Sequence, residues 1–420
     1  MNILYIDHYA GSDKMGMEFR PFYMAREWAR LGHDVTILAA DYSHLRAKNP
    51  EAPYDFFETV EEGVRFSWVK TPRYIGNRVR RIRNMYAFIG KLSRFAGTIS
   101  RKYNPDVVIN SSTYPMDVYP AVKIARINGA ATCYEIHDIW PMSLMVLGSR
   151  PKWEPAMQVV QMAENYCYKN CDTVVSVLPD ANRHIKEIGF DKVDFHYIPN
   201  GVFIEPQAAC EPLGGEWTEP LSRLKSEGKF IVMYAGGHAL SNALWCFIDS
   251  ADTLPDGCTL VLVGNGSEKP ELIKRANGRK NIVFLDSVKK RCMHELLGYA
   301  DVLYLGAKKS PLYSYGVGMN KLYDYMLAAR PIIYGVGSSN RPVEEAHCGI
   351  TVEPEDPKAI SEAVGVLMKT PREQLAVMGK NGYDYVVKNH DYKILADRFL
   401  RILEDTADNI RRNNKNSRDL

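Results

Sequence analysis

The sequence predicts an α/β protein made of two doubly wound domains in tandem. Short β-rich apolar runs alternate with helix-like segments almost throughout. The alternation pauses near residue 200 and restarts near residue 229. A chain of 420 residues is also longer than one ordinary core accommodates.

The first series opens with NILYIDHY (2–9), then an amphipathic stretch around 18–31 and DVTILAA (34–40). DVVINS (106–111), ATCYEIHD (131–138) and TVVSVL (173–178) follow, each separated by a helix-like segment. The second series runs KFIVMYAGG (229–237), TLVLVGNG (259–266), NIVFLD (281–286), DVLYLG (301–306), RPIIYG (330–335) and GITVEP (349–354). The pattern places a first domain at 1–200, a second at 229–388, and a C-terminal helix at 389–420 that packs back on the first domain. The stretch 201–228, rich in proline, glycine and acidic residues, reads as an interdomain linker. The last residues, IRRNNKNSRDL, read as a solvated tail.

With 46% hydrophobic and 25% charged residues the composition is that of a soluble globular protein. A net charge of +3 excludes a polyanion binder over the whole surface, so basic surface must be local. The chain opens directly as an apolar strand, with no signal-peptide pattern. No apolar run approaches the roughly 20 residues of a spanning helix, so membrane contact is expected to be peripheral. Eight cysteines occur without a CxxC pair, which points to free thiols in a reducing cytoplasm. Cys167 and Cys171, one helical turn apart, read as packing residues rather than metal ligands, and no metal or other cofactor is expected.

Ligands of open α/β sheets bind beyond the carboxyl ends of the strands, so the loops there carry the candidate site. GGHALSNAL (236–244) offers Gly236, Gly237 and Asn242, where glycines admit a ligand close to the backbone and a helix start presents N–H groups to an anion. VGNGSEKPEL (263–272) repeats the form at Gly264. GAKKSPLYSYGVGMNK (306–321) brings Lys308, Lys309 and Lys321 together with the backbone of Gly316, Val317, Gly318, Met319 and Asn320. Converging lysines and helix-start amides make a diphosphate site that needs no metal. Asp324 stands one turn further on, so an anion followed by a polyol, a nucleotide sugar, suits the segment. In the first domain, HYAGSDKMGMEFRP (8–21) offers Gly11 and Gly16 for close approach of an acceptor and Arg20 at the next helix start. His137 ends an apolar strand, and Asp138 is read as orienting it or capping the following turn.

Residues 73–103 contain nine basic side chains and no acidic one. Val79, Ile82, Tyr86, Ile89 and Ile99 recur there at helical spacing. Such a helix packs its apolar stripe inward, lies on an anionic membrane surface, or does both. No nucleic-acid recognition motif accompanies it, so nucleic acid is not expected as a partner.

Together these segments resemble retaining glycosyltransferases of family 4, which have the GT-B architecture of two Rossmann-like domains facing a central cleft. NKLYDYMLAARPII is similar to the family's E-A-M-A-x-G-x-P-V-I signature, IPNGV (198–202) to its turn into the second domain, and GHDVTILAA (32–40) to its second strand. EIHDIWP (135–141) is similar to an HD-x-WP block of bacterial surface-polysaccharide members, and KKSPLYSYGVGMNKLYDYM looks closest to enzymes that move aminodeoxy sugars such as N-acetylfucosamine. The resemblance implies that Asp324 holds the donor ribose, that His137 hydrogen-bonds the donor sugar, and that the loop after the first strand shapes the acceptor side. Two positions depart from the family. Its second glutamate, eight residues before the ribose-binding one, is Gly316 here, and its Arg and Lys after the first strand of domain two are absent from GGHALSN. Lys308, Lys309, Lys321 and the amides of Gly318 to Asn320 replace them by chemistry.

The function implied is a metal-independent transfer from a nucleotide sugar, a UDP-sugar above others, to a polyprenyl-diphosphate-linked saccharide. It would take place at the cytoplasmic face of a bacterial membrane, in O-antigen or capsule synthesis. The alternatives are a GT-B sugar-nucleotide epimerase, which has no need of a membrane-facing basic helix, and a nucleotide-binding, non-catalytic partner subunit.

Overall fold

The computed structural model describes residues 1–16, 19–74, 78–204 and 211–416. Of the segments singled out above, residues 17–18, 75–77, 205–210 (Cys210 included) and 417–420 lie outside the described residues. The chain divides into two compact units, Met1–Asn200 with Tyr392–Leu420, and Gly201–Asp391.

The first unit holds strands β1 (Asn2–Ile6), β2 (Asp34–Ala40), β3 (Phe57–Glu61), β4 (Val64–Val69), β5 (Val107–Asn110), β6 (Ala131–Ile136), β7 (Thr173–Ser176) and β8 (Phe195–Tyr197). They form one sheet in the order β3-β4-β2-β1-β5-β6-β7-β8, parallel except for the edge pair β3–β4. Helices cover both faces, so β1, β5 and β6 are apolar runs rather than alternating ones. Leu4 and Ile6 face Phe88, Leu92, Ala96 and Ile99 in one core layer. On the other face Tyr5 stacks on Trp28, whose indole N–H donates to the Ala396 carbonyl at 2.9 Å. That bond ties the helix Phe19–Arg30 to the C-terminal helix Tyr392–Asn416. This last helix includes most of the stretch expected as a solvated tail, and Arg411 within it pairs with Asp106 at 2.5 Å. The β3–β4 hairpin was not anticipated. Its turn is Glu62-Gly63, both at positive φ (47° and 84°), the geometry that favours two-residue hairpins.

The second unit holds β9 (Phe230–Ala235), β10 (Cys258–Val263), β11 (Ile282–Leu285), β12 (Val302–Gly306), β13 (Ile332–Gly335) and β14 (Gly349–Thr351), all parallel. Their order, β11-β10-β9-β12-β13-β14, is the 3-2-1-4-5-6 winding of a Rossmann sheet. The segment expected as a linker is partly core: the helix Gly215–Ser226 buries Leu221 and Leu224 beside Leu213, Ile231 and Met233. Apolar residues at helical spacing inside a proline- and glycine-bearing stretch explain the difference.

Candidate functional site

In the second sheet the winding reverses between β9 and β12, so the chain leaves these neighbouring strands in opposite directions and opens a crevice at their carboxyl ends. β9 exits through Gly236, and Lys321, in the first turn of the helix Asn320–Leu327, lies directly over it. A Cβ at Gly236 would stand 2.7 Å from Lys321 Cδ. The Lys321 ammonium donates to the Tyr234 hydroxyl at 2.8 Å and to Asn242 Oδ1 at 3.2 Å, and sits 5.0 Å from the Tyr234 ring centre. Tyr234 and Asn242 both donate to the Gly237 carbonyl at 2.8 Å, which leaves their lone pairs turned to the lysine. With neutral partners only, burial pushes the Lys321 amine down to about 8. The exit of β10 closes on the same loop. A Cβ at Gly264 would fall 2.0 Å from the Gly236 carbonyl oxygen, so only glycine fits. His238, which sequence reasoning passed over, is fully buried beneath these loops, and burial with the Lys269 and Lys321 charges brings it down to about 4.

β12 exits on the other side of the reversal. The Lys308 amide donates to the Ser241 carbonyl at 2.9 Å and joins the two loops, while its side chain is exposed. Lys309 is committed elsewhere: it pairs with Glu353 at 2.6 Å, and its amide donates to Glu355 at 2.7 Å. Gly316 takes φ 96° at the end of the turn Pro311–Tyr315. Two of the groups expected to meet the donor already have protein partners. The Val317 amide is not free for a donor, because Asn340 clamps both its N–H (2.9 Å) and its carbonyl (3.1 Å). Asp324 is not an open carboxylate either, since Lys290 reaches both of its oxygens at 2.5 Å. Gly318 and Met319 are half-buried before the helix, and Asn320, its first residue, is exposed. Of the predicted basic residues, Lys321 is thus the one seated against the exits of β9 and β10.

In the first unit, Arg20 departs most from expectation. Its side chain is buried and fully engaged, with Nε 2.9 Å from Glu135 and the remaining nitrogens on the carbonyls of Pro199 (2.6 Å) and Ile198 (3.0 Å). It therefore balances a buried charge and does not meet an acceptor. Glu135, at the end of β6, also accepts from Tyr5 and Ser111, and Ser111 lies 2.8 Å from His137 Nε2. Burial alone would raise Glu135; the Arg20 charge and the bonds from His137 and Ser111 outweigh it and hold the carboxyl well below its usual range. Burial likewise opposes the charged form of His137, yet Glu135, aided by Asp7, leaves its imidazole above 6.5. Asp138 is exposed. Gly11 is buried, and Gly16, at φ 87°, faces Ala47, with a built Cβ 3.1 Å from the Ala47 methyl. An acid inside the apolar run ATCYEIHD was the signal for Glu135, since a buried charge needs a partner.

The basic segment divides between two helices, Arg78–Arg94 and Ala96–Tyr103. The expected stripe splits. Ile89 and Ile99 are buried with Met85, Phe88 and Leu92, whereas Val79, Ile82 and Tyr86 are exposed beside the exposed Arg80 and Arg83. Among the described residues no helix is long and apolar enough to cross a membrane.

Two family models match the chain. A glycosyl transferase 4-like domain covers residues 16–201, and a glycosyl transferases group 1 domain covers residues 229–370. The chain is a glycosyltransferase of the GT-B type. Among solved structures, it is similar to sucrose-phosphate synthase from Thermosynechococcus elongatus, with TM-score 0.71, 14% identity, and 96% of this chain and 98% of that one covered. It is also similar to Anabaena HepE in complex with UDP and glucose, with TM-score 0.66, 13% identity, and coverage of 96% and 99%. WaaG, a glycosyltransferase involved in lipopolysaccharide biosynthesis, matches with TM-score 0.64, 14% identity, and coverage of 96% and 99%. These likenesses show the GT-B fold. A search of curated proteins by sequence returns no match.

Proposed function

We propose that this glycosyltransferase is retaining and metal-independent, and takes its sugar from a nucleotide-sugar donor, a UDP-sugar. The acceptor is a polyprenyl-diphosphate-linked saccharide made during bacterial surface-polysaccharide synthesis, O-antigen or capsule. The observation that carries the donor half is Lys321, an ammonium seated on neutral partners over the glycine exit of β9. Such a cation is under-compensated until an anion arrives, which is the electrostatic preparation that stabilises a departing diphosphate. Lys308 and the first amides of the helix Asn320–Leu327 add to it. Asp324 takes the ribose hydroxyls by exchanging or sharing its contact with Lys290. His137 hydrogen-bonds the sugar. As the anomeric C–O bond to the diphosphate breaks, the acceptor oxygen bonds to the same carbon, and its proton passes to the departing phosphate. The UDP in HepE and the lipopolysaccharide role of WaaG support the donor and acceptor classes chosen.

The helix Arg78–Arg94 supports a protein that works peripherally on the cytoplasmic membrane face. Exposed Val79, Ile82 and Tyr86 recur one side-chain row apart, with Arg80 and Arg83 beside them. The test is transfer of radiolabel from UDP-sugars to membranes that carry lipid-linked saccharides, with and without a chelator. Label should enter the organic-extractable lipid fraction whether or not chelator is present. Strict dependence on a divalent ion removes the metal-independent reading, and label confined to free sugar removes the lipid-linked acceptor.

A further inference from the structure

Two buried groups, Ser111 and Glu135, meet Nε2 of His137, and two more, Arg20 and Tyr5, hold the Glu135 carboxylate. Glu135 is fully buried, Ser111 is 1% exposed, and Arg20 and Tyr5 close the other sides of the carboxylate. Arg20 Nε lies 2.9 Å from Oε1, while Oε2 receives both the Tyr5 hydroxyl and the Ser111 hydroxyl, the latter at 2.6 Å. Ser111 Oγ is also 2.8 Å from His137 Nε2, which itself stands 3.5 Å from Oε2.

The protons can be assigned by counting. An ionised carboxylate only accepts, so the contact at 2.6 Å requires the Ser111 hydroxyl to donate to Glu135. Serine has one proton to give. Its oxygen must therefore accept from the imidazole, and Nε2 must carry hydrogen. The opposite arrangement, with Ser111 donating to a bare Nε2, would leave two oxygens facing each other in a buried, low-dielectric site without a proton between them. Nδ1 is then the nitrogen with the lone pair in the neutral ring, and no protein partner holds it among the described residues.

We infer that Ser111 and Glu135 are positioning residues that hold His137 as its Nε2–H tautomer and so make Nδ1 the atom offered to a substrate hydroxyl. Arg20 belongs to the same device. Its charge keeps Glu135 ionised, and its other nitrogens bind the carbonyls of Ile198 and Pro199. The tautomer assignment stands on contacts within the first unit; the hydroxyl's being that of a sugar rests on the proposed function.

The decisive measurement is nitrogen-15 NMR of the full chain labelled at histidine, with His137→Ala used to assign the signal. The wild type should show His137 protonated at Nε2 in its neutral form, with Nδ1 as the bare nitrogen. Ser111→Ala should shift the ring to a mixture of tautomers and lower kcat/KM about tenfold, and Ser111→Thr, which restores a hydroxyl, should recover both. Glu135→Gln should lower the imidazole pKa; because it leaves Arg20 without its counter-charge, Ser111→Ala serves as the test that preserves that pair. A wild-type ring protonated at Nδ1, or a tautomer unmoved in Ser111→Ala, overturns the inference. A tautomer as expected with full transferase activity in His137→Ala overturns instead the assignment of His137 to the sugar.

Discussion

Lys321→Met is the substitution that most directly tests the donor site. Methionine keeps the aliphatic length over Gly236 and deletes the ammonium held by Tyr234 and Asn242. A hydrogen bond to a charged group contributes about 1.5–3 kcal/mol. At about 1.4 kcal/mol per factor of ten, the variant should bind UDP roughly ten- to a hundredfold more weakly at pH 7. The pH dependence follows from the same residue. Its amine is lowered from 10.5 to about 8 in the folded protein, and a bound diphosphate favours the charged form. Wild-type affinity should therefore fall above about pH 8, and binding at pH 9 should take up close to one proton; both effects should vanish in Lys321→Met. Stability moves the opposite way. Between about pH 8 and 10.5 the unfolded chain holds the proton that the folded chain has lost, so wild-type stability rises through this window. The full shift corresponds to about 3 kcal/mol, and removal of the ammonium should raise Tm at pH 7. Calorimetric titration of UDP in two buffers of different ionisation enthalpy, with a thermal melt, reads all of this. Equal UDP affinity in the two proteins, or binding without proton uptake at pH 9, would refute the assignment of Lys321 to the diphosphate.

Gly236→Ala should displace Lys321 and weaken UDP binding; its Tm loss should come from backbone strain at φ 156°, because the clash at 2.7 Å is with a flexible side chain. Gly264→Ala should instead lower Tm markedly, since its Cβ would meet a backbone oxygen at 2.0 Å. Asp324→Ala should cut UDP affinity about tenfold, and Lys290→Met, which frees the carboxylate, should not weaken it; calorimetry that finds Asp324→Ala unchanged removes the ribose role. Arg80→Glu with Arg83→Glu should release the protein from anionic vesicles in a flotation assay, since each basic residue near the surface contributes about 1 kcal/mol. If wild type never floats with such vesicles, the peripheral-membrane reading fails.

The two doubly wound sheets were legible because buried parallel strands are near-continuous apolar runs, and those runs stand out in any linear reading. The glycines at 236 and 264 and the lysine at 321 were legible for a related reason, as loop chemistry follows directly on the strands that carry it. Val317 and Lys309 were misjudged, because Asn340 and Glu353 come from later loops that only the fold brings beside them. Arg20 misled for the same cause, its partner Glu135 lying 115 residues away. The glutamate was visible as an acid within an apolar run, but not the arginine, serine and tyrosine that surround it.

Sequence by itself thus determined the class of fold and the residue types carried by the loops at the strand ends. Tertiary structure decided which of those residues remain available to a ligand. Hydrogen-bond partners and counter-charges are assigned by proximity in space. A charge near a loop in sequence therefore keeps only neutral partners, like Lys321, or meets a counter-charge, like Arg20, according to what the folded sheet sets against it.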